Sequence, residues 1–281
     1  VVSDRFPDFV VIGAMKSGTT SLYGYLDDHP DVWVSHPKEL DFFLDRGNWH
    51  RGTDWYLDHF TEAPTDAVLG EVSPSYSQTH LYPEVPKRMA GLVPTAKLVY
   101  IVREPVQRIR SMYAHLVIDG LESRPIDDAV KLNRDYVETS RYAARIASFE
   151  PAFSEGRLQV ITTEQLKAKP VDTLDAVASF IGVSPWSGLD RPLPARRNVT
   201  EDRRIEHPMG IRLKGRTSYW RILNRSWRAR RLHDMVFERS VTPPSTTLSS
   251  DVDEWLRETL EPDTAALESL LGRSLTEWGR G

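Results

Sequence analysis

The chain has 281 residues, 40% of them hydrophobic and 27% charged, with a formal net charge of −4, which is the profile of an ordinary globular protein long enough for one large α/β domain. That slight acidity gives no overall attraction to nucleic acid or to an anionic membrane, so any basic site has to be local. The absence of cysteine excludes disulfides, thiolate zinc sites and cysteine nucleophiles and fits a cytoplasmic setting, while no apolar run approaches the ~20 residues of a membrane span and Val1–Asp8 shows neither the basic start nor the apolar core of a signal peptide.

The first element is the most informative. Phe9-Val10-Val11-Ile12 is an apolar, β-branched run that ends at the small-residue loop Gly13-Ala14-Met15-Lys16-Ser17-Gly18-Thr19-Thr20, and apolar residues at helical spacing follow (Leu22, Tyr23, Leu26). Strand, turn and helix in that order aim several backbone N–H groups at one point, and the two glycines keep Cβ atoms out of an anion's way. The frame is that of the nucleotide-triphosphate P-loop, except that Thr19 stands where the lysine belongs and Lys16 lies three residues earlier.

Farther on, Val32-Trp33-Val34 reads as a short strand after the Asp28-His29-Pro30 break. Ser35–Leu44 then mixes Lys38, Glu39 and Asp41 with Phe42 and Phe43, and Gly47–Phe60 adds Trp49, Trp55, Tyr56 and Phe60, an aromatic set expected mainly in the core. Ala67–Tyr76 reads as a second strand, ended by Pro74, with Glu71 and Ser73 at the carboxyl end where open parallel sheets hold ligands. Lys97–Val102 is a third, continuous in apolar residues as in a sheet covered on both faces. It runs into Arg103-Glu104-Pro105 and a helix to about Leu116.

Ile126–Phe153 reads as mostly helical, Leu158–Ile161 as a strand, and Thr173–Ile181 as a helix stopped by Gly182. Arginines crowd Arg191–Arg239, read as a basic helical surface or a local field for an anion. Ser249–Trp278 reads as an acidic amphipathic helix with a C-terminal helical hairpin. The whole predicts a single domain over residues 1–281 of the P-loop-like α/β class. Its sheet is central and mostly parallel, with helices on both faces; about 191–249 is variable and 249–278 forms C-terminal helices.

A metal–nucleotide site would need an aspartate at the end of a later strand. The best such strand ends in Arg103, which repels a divalent cation and pairs bidentately with phosphate. Ser111, two helical turns on, offers a hydroxyl to the same anion. Two anion sites and no metal follow from this reading.

These motifs resemble the sulfotransferases that use 3′-phosphoadenosine 5′-phosphosulfate (PAPS), in the branch that includes heparan sulfate sulfotransferases and many small bacterial enzymes. The first loop matches that family's 5′-phosphosulfate loop, and Val102–Ser111 its 3′-phosphate motif. Lys38–Phe43 is similar to its K-E-x-H-F-F segment and Gly70–Tyr76 to its E-K-[ST]-P-x-Y segment. Leu270–Trp278 looks like its ending.

The resemblance implies PAPS as donor and PAP as product, without a metal. It places Lys16, Ser17, Gly18, Thr19 and Thr20 on the 5′-phosphosulfate and Arg103 and Ser111 on the 3′-phosphate. Lys214-Gly215-Arg216 resembles a loop that closes over the donor. Glu39 is implied as the base that takes a proton from a hydroxyl, with an amine as second choice, on a small-molecule or carbohydrate acceptor, and Lys16 as the cation beside the leaving oxygen. His36 is a runner-up base, and Glu71 is read as orienting Lys16 or Ser73 or else ending its strand in solvent. Asp41 replaces the histidine and Val72 the lysine usual in heparan-type enzymes, and both changes remove contacts to a polyanionic acceptor. A P-loop kinase or NTPase and a catalytically silent anion-binding module are the competing readings. Nucleic acid and membrane insertion are not expected, and the sequence carries no signal for oligomeric state.

Overall fold

The computed structural model describes residues 5–190, 193, 204–206, 238–240 and 244–279. Lys214-Gly215-Arg216 and most of the arginine-rich stretch lie outside the described residues.

Five strands form one sheet: β1 (Phe9–Gly13), β2 (Val32–Val34), β3 (Val68–Val72), β4 (Lys97–Val102) and β5 (Leu158–Thr162), in the spatial order β2-β3-β1-β4-β5. All four pairings are parallel. The even and odd residues of the central strands go to opposite faces. Val10, Ile12, Leu98, Tyr100 and Val102 belong to one buried cluster. Phe9, Val11, Val99 and Ile101 belong to the other. This is why both strands read as unbroken apolar runs.

The first face packs on α2 (Gly52–Asp58), α3 (Val85–Leu92), α7 (Tyr142–Phe149) and the C-terminal helix. The second packs on α1 (Thr19–Asp27), α8 (Thr163–Ala168) and α9 (Pro170–Ile181). Gly182, in the left-handed region at φ 91°, ends α9 as expected. A third cluster joins α4 (Pro105–Ile118), α5 (Ile126–Leu132), α6 (Asp135–Glu138) and the same C-terminal helix.

Two expectations need correction. The C-terminal part is one 22-residue helix, α10 (Ser250–Leu271), that runs through Pro262, followed by a single 3-10 turn at Thr276–Trp278. Its buried residues Val252, Leu256, Leu260, Thr264 and Leu267 make one continuous stripe, and that stripe, seated on two neighbouring clusters, carries the helix past the proline. The described parts of the arginine-rich stretch are not helical either. Arg204–Glu206 (β6) and Glu238–Ser240 (β7) pair antiparallel; Arg204-Ile205-Glu206 sets a β-branched residue between two charged ones, a strand-compatible alternation.

Asp263 of α10 accepts the Ala143 and Ala144 N–H groups, each at 3.0 Å, and so caps the first turn of α7 from another element. Asp263→Ala leaves those donors unpaired and is expected to lower unfolding free energy by about 1–2 kcal/mol. Urea denaturation at neutral pH measures it, and an unchanged midpoint contradicts the capping role.

Candidate active site

The sheet order places the chemistry. β1 lies between β3 and β4, where the chain changes direction across the sheet, and ligands bind at such a switch point beyond the carboxyl ends of the strands. Lys16 follows β1, Arg103 follows β4, and Glu39 is tied to the end of β3. Glu39 N–H donates to Val72 O at 3.0 Å, and Ser73 N–H donates to Val11 O at 3.1 Å. The three side chains therefore stem from neighbouring strands spaced ~4.8 Å apart.

The first loop is locked from three sides. Ala14 N–H donates to Ile101 O at 2.6 Å and Ser17 N–H to Ala14 O at 3.1 Å. Gly13 fits against Ser77 and Tyr100 so closely that a Cβ would sit 2.1 Å from Ser77 Oγ. The Thr163 hydroxyl lies 2.5 Å from Ser17 O and 3.0 Å from Val102 O, pinning the loop to the end of β4. Lys16 and Gly18 adopt left-handed backbone, at φ 69° and 90°. Gly18 is the N-cap of α1, so Thr19 and Thr20 supply the first free N–H groups of that helix. Ser17 is fully buried, and among the described residues its Oγ has no close partner other than the Tyr142 hydroxyl that faces it. A buried hydroxyl at a helix N-terminus suits an anion.

Arg103 is partly exposed, and its carbonyl accepts from the Tyr142 hydroxyl at 2.8 Å. Ser111 lies partly exposed on α4. The N-terminus of α4 is already served by Glu104, whose carboxylate accepts from Val106 and Gln107 N–H. An anion at Arg103 therefore meets side chains rather than a free helix end.

Glu39 sits on a turn in which both Glu39 and Asp41 have positive φ, 65° and 47°. One carboxylate oxygen of Glu39 pairs with Lys38, and the residue is exposed. The turn hangs on Glu71, which is wholly buried and accepts from Tyr56 Oη at 2.6 Å, Tyr76 Oη at 2.6 Å and Ser73 Oγ at 2.7 Å. Ser73 Oγ accepts from Asp41 N–H at 3.1 Å, and Tyr76 Oη accepts from Phe42 N–H at 2.8 Å. Glu71 thus orients Ser73 and does not end its strand in solvent. The aromatic composition of the Gly47–Phe60 and Gly70–Tyr76 segments gives no sign that two of their rings serve a buried carboxyl; Tyr56 reaches it from α2 and Tyr76 from the turn after β3.

Phe42 stacks on Tyr56 with centroids 4.4 Å apart and touches Trp49 and Trp55. Phe42, Phe43, Tyr56 and Phe60 are core, as expected, whereas Trp49 is 37% exposed. His36 is exposed, bonded to Tyr23 Oη at 2.9 Å and to Asp27 at 3.0 Å, on the α1 side of the turn.

A sequence profile of the sulfotransferase domain matches residues 6–191. The chain belongs to the sulfotransferase domain family. Human bifunctional heparan sulfate N-deacetylase/N-sulfotransferase 3 is 34% identical over 203 residues, which cover 65% of this chain and 23% of that protein. The mouse enzyme 4 of the same name is 33% identical over 204 residues, covering 65% and 23%. The chain thus spans about a quarter of the length of these curated relatives. The crystal structure of a sulfotransferase from Alicyclobacillus acidocaldarius superposes with a TM-score of 0.70 at 25% identity, over 98% of this chain and all of that one. The sulfotransferase-family region, residues 6–191, includes the first loop, the Glu39 turn, Glu71 and the Arg103–Ser111 segment.

Burial pushes the Glu71 carboxyl from its ordinary 4.5 up to about 7, against the pull of its three hydroxyl donors. Asp41 is raised to about 6, by burial first and then by Glu39. A carboxyl raised in the folded state holds its proton where the unfolded chain has lost it. The stability it contributes is full below pH ~4.5 and disappears as pH rises through about 7. Glu71→Gln should remove that slope, so that wild type loses on the order of 3 kcal/mol more than the variant between pH 4.5 and 8. Chemical denaturation across that range tests this, and parallel curves refute it.

Proposed function

We propose that this chain transfers a sulfonate group from PAPS to a hydroxyl or amine on a small-molecule or carbohydrate acceptor. The observation that carries the reading is the line Glu39, Lys16, Arg103 across the ends of three adjacent strands, with an anion-suited loop in the middle. The residues fit the donor. Lys16, Ser17, Gly18, Thr19 and Thr20 would hold its 5′-phosphosulfate and Arg103 and Ser111 its 3′-phosphate. PAPS, when bound, supplies a sulfonate activated by a phosphate leaving group.

The protein's own work is positional and electrostatic. Lys16 stands where negative charge grows on the leaving oxygen, so its cation stabilises the transition state more than the ground state. Glu39 takes the acceptor proton; Lys38 holds one of its carboxylate oxygens and leaves the other to face the acceptor. Such a base is typically worth about 10²–10⁴ in rate. Arg103 at the strand end opposes a divalent cation there, which separates this reading from a P-loop kinase. The names of the relatives, with their N-sulfotransferase activity, support an amine as strongly as a hydroxyl. Asp41 and Val72 favour an acceptor less anionic than heparan sulfate. The cysteine-free composition supports a cytoplasmic setting.

PAP should raise the melting temperature with EDTA present, and Glu39→Gln should keep that shift while losing at least a hundredfold in sulfonate transfer from radiolabelled PAPS to a panel of hydroxyl and amine acceptors. Stabilisation by ATP with Mg²⁺ and not by PAP rejects the reading. Tight PAP binding without turnover on any acceptor favours the silent binding module.

A further inference from the structure

Arg108 lies inside the segment matched to the 3′-phosphate motif, yet neither motif nor spacing singled it out. It is fully buried on α4, five residues after Arg103 and three before Ser111, which places it on the Ser111 side of that helix. Its Nε donates to Ser140 Oγ at 2.6 Å and its Nη2 to Tyr136 O at 2.5 Å. Among the described residues its Nη1 is buried without a hydrogen-bond partner. Both acceptors are neutral. The ionisable groups that face it most strongly are Tyr142, Tyr100, Arg103 and Tyr136, three phenols and a second guanidinium; it also faces His80. Burial and Arg103 both work against its charged form. A buried guanidinium surrounded by neutral dipoles and another cation is an arrangement that an anion completes.

Ser140, which accepts from Arg108, lies with its Oγ 3.5 Å from Pro105 O, and Tyr142, which faces Arg108, donates its hydroxyl to the Arg103 carbonyl at 2.8 Å, so Arg108 is packed against the segment that leaves β4. Arg145, the other arginine buried nearby on α7, is compensated by Glu138 at 3.5 Å. Among the described residues Arg108 has no carboxylate within ion-pair distance.

We infer that Arg108 supplies the second positive charge of the 3′-phosphate site, which makes that site selective for a doubly charged phosphomonoester. This rests on the PAPS reading and extends it to a residue and a charge requirement. Arg103 holds the phosphate at the surface of the cleft. Arg108, behind it, raises the potential felt by the ligand without needing solvent exposure, in a medium where screening is weak. Its hydrogen bonds to Ser140 and Tyr136 keep the guanidinium from turning away when the ligand leaves.

The test compares PAP with AMP, which lacks the 3′-phosphate, by calorimetry on the unmodified protein and on Arg108→Gln and Arg108→Lys. The expected result is that Arg108→Gln weakens PAP at least tenfold and AMP less than twofold, whereas Arg108→Lys, which keeps the charge, leaves the PAP-to-AMP ratio within threefold of wild type. A purely structural role for Arg108 predicts that both variants lose stability and keep the ratio, and that result overturns the inference. Should Arg108→Gln fail to fold, the unmodified protein decides with a third ligand, the 3′-phosphate methyl diester of PAP. Loss of at least tenfold relative to PAP supports a dianion requirement, and binding within threefold overturns it. If wild type binds neither PAP nor AMP, the PAPS reading itself falls; if wild type prefers PAP and the Arg108→Gln ratio is unchanged, only the role of Arg108 does.

Discussion

A buried carboxylate, Glu71, holds the candidate site together. It lies at the end of β3 with no solvent contact, and two tyrosines and a serine donate to it. Two of those donors, Ser73 and Tyr76, in turn accept the backbone N–H groups of Asp41 and Phe42. The turn that presents Glu39 has two residues in the left-handed region, a conformation that costs energy for non-glycine residues and persists only when neighbours over-determine it. The hydrogen bonds to Ser73 and Tyr76, the bond from Glu39 N–H to Val72 O, and the burial of Phe42 and Phe43 together do so. Without Glu71 the two hydroxyls lose their fixed orientation and Glu39 loses its place.

Opposite this turn the first loop is fixed by different means. Its anchors are close backbone contacts and one threonine hydroxyl, rather than a charged hub. The C-terminal end adds a brace behind β4 and β5. Trp278 Nε1 donates to Glu164 at 3.0 Å, Thr162 Oγ1 donates to Glu277 at 3.2 Å, and Glu277 is paired with Arg273. The 3-10 turn at the end of the chain is thus part of the wall behind the proposed 3′-phosphate site.

What the sequence revealed followed from local rules. The strand–loop–helix at Phe9–Leu22, the arginine at the end of β4 and the stop at Gly182 each depend on residues within one or two turns of each other. What it concealed depends on distance along the chain. Tyr56 meets Glu71 only because α2 packs back on the end of β3, and Tyr76 only because the 3-10 turn after β3 curls its ring under that strand end. Arg108 looked like one more polar residue on a helix, though its position between Val106 and Ile109, both buried, placed it against the core. The acidic amphipathic pattern of Ser249–Trp278 suggested a helix with a helical hairpin where tertiary packing maintains one helix and a 3-10 turn. In the arginine-rich stretch, composition suggested helix, while the described parts pair as β6 and β7 because alternation over three residues is enough for a strand once a partner is supplied.

The order β3, β1, β4 has a consequence for how such a site can diversify. Lys16 and Arg103 follow the ends of the paired strands β1 and β4, so the spacing of their attachment points is ruled by the backbone ladder of the sheet, whereas Glu39 also depends on the hydroxyls gathered by Glu71. Surface loops outside that hydroxyl network can lengthen, shorten or change charge without moving the two strand ends apart. The fold works as a fixed gauge: substitution in the rim alters which molecule would reach the proposed site, and the sheet keeps constant the distance between the strand ends that carry it.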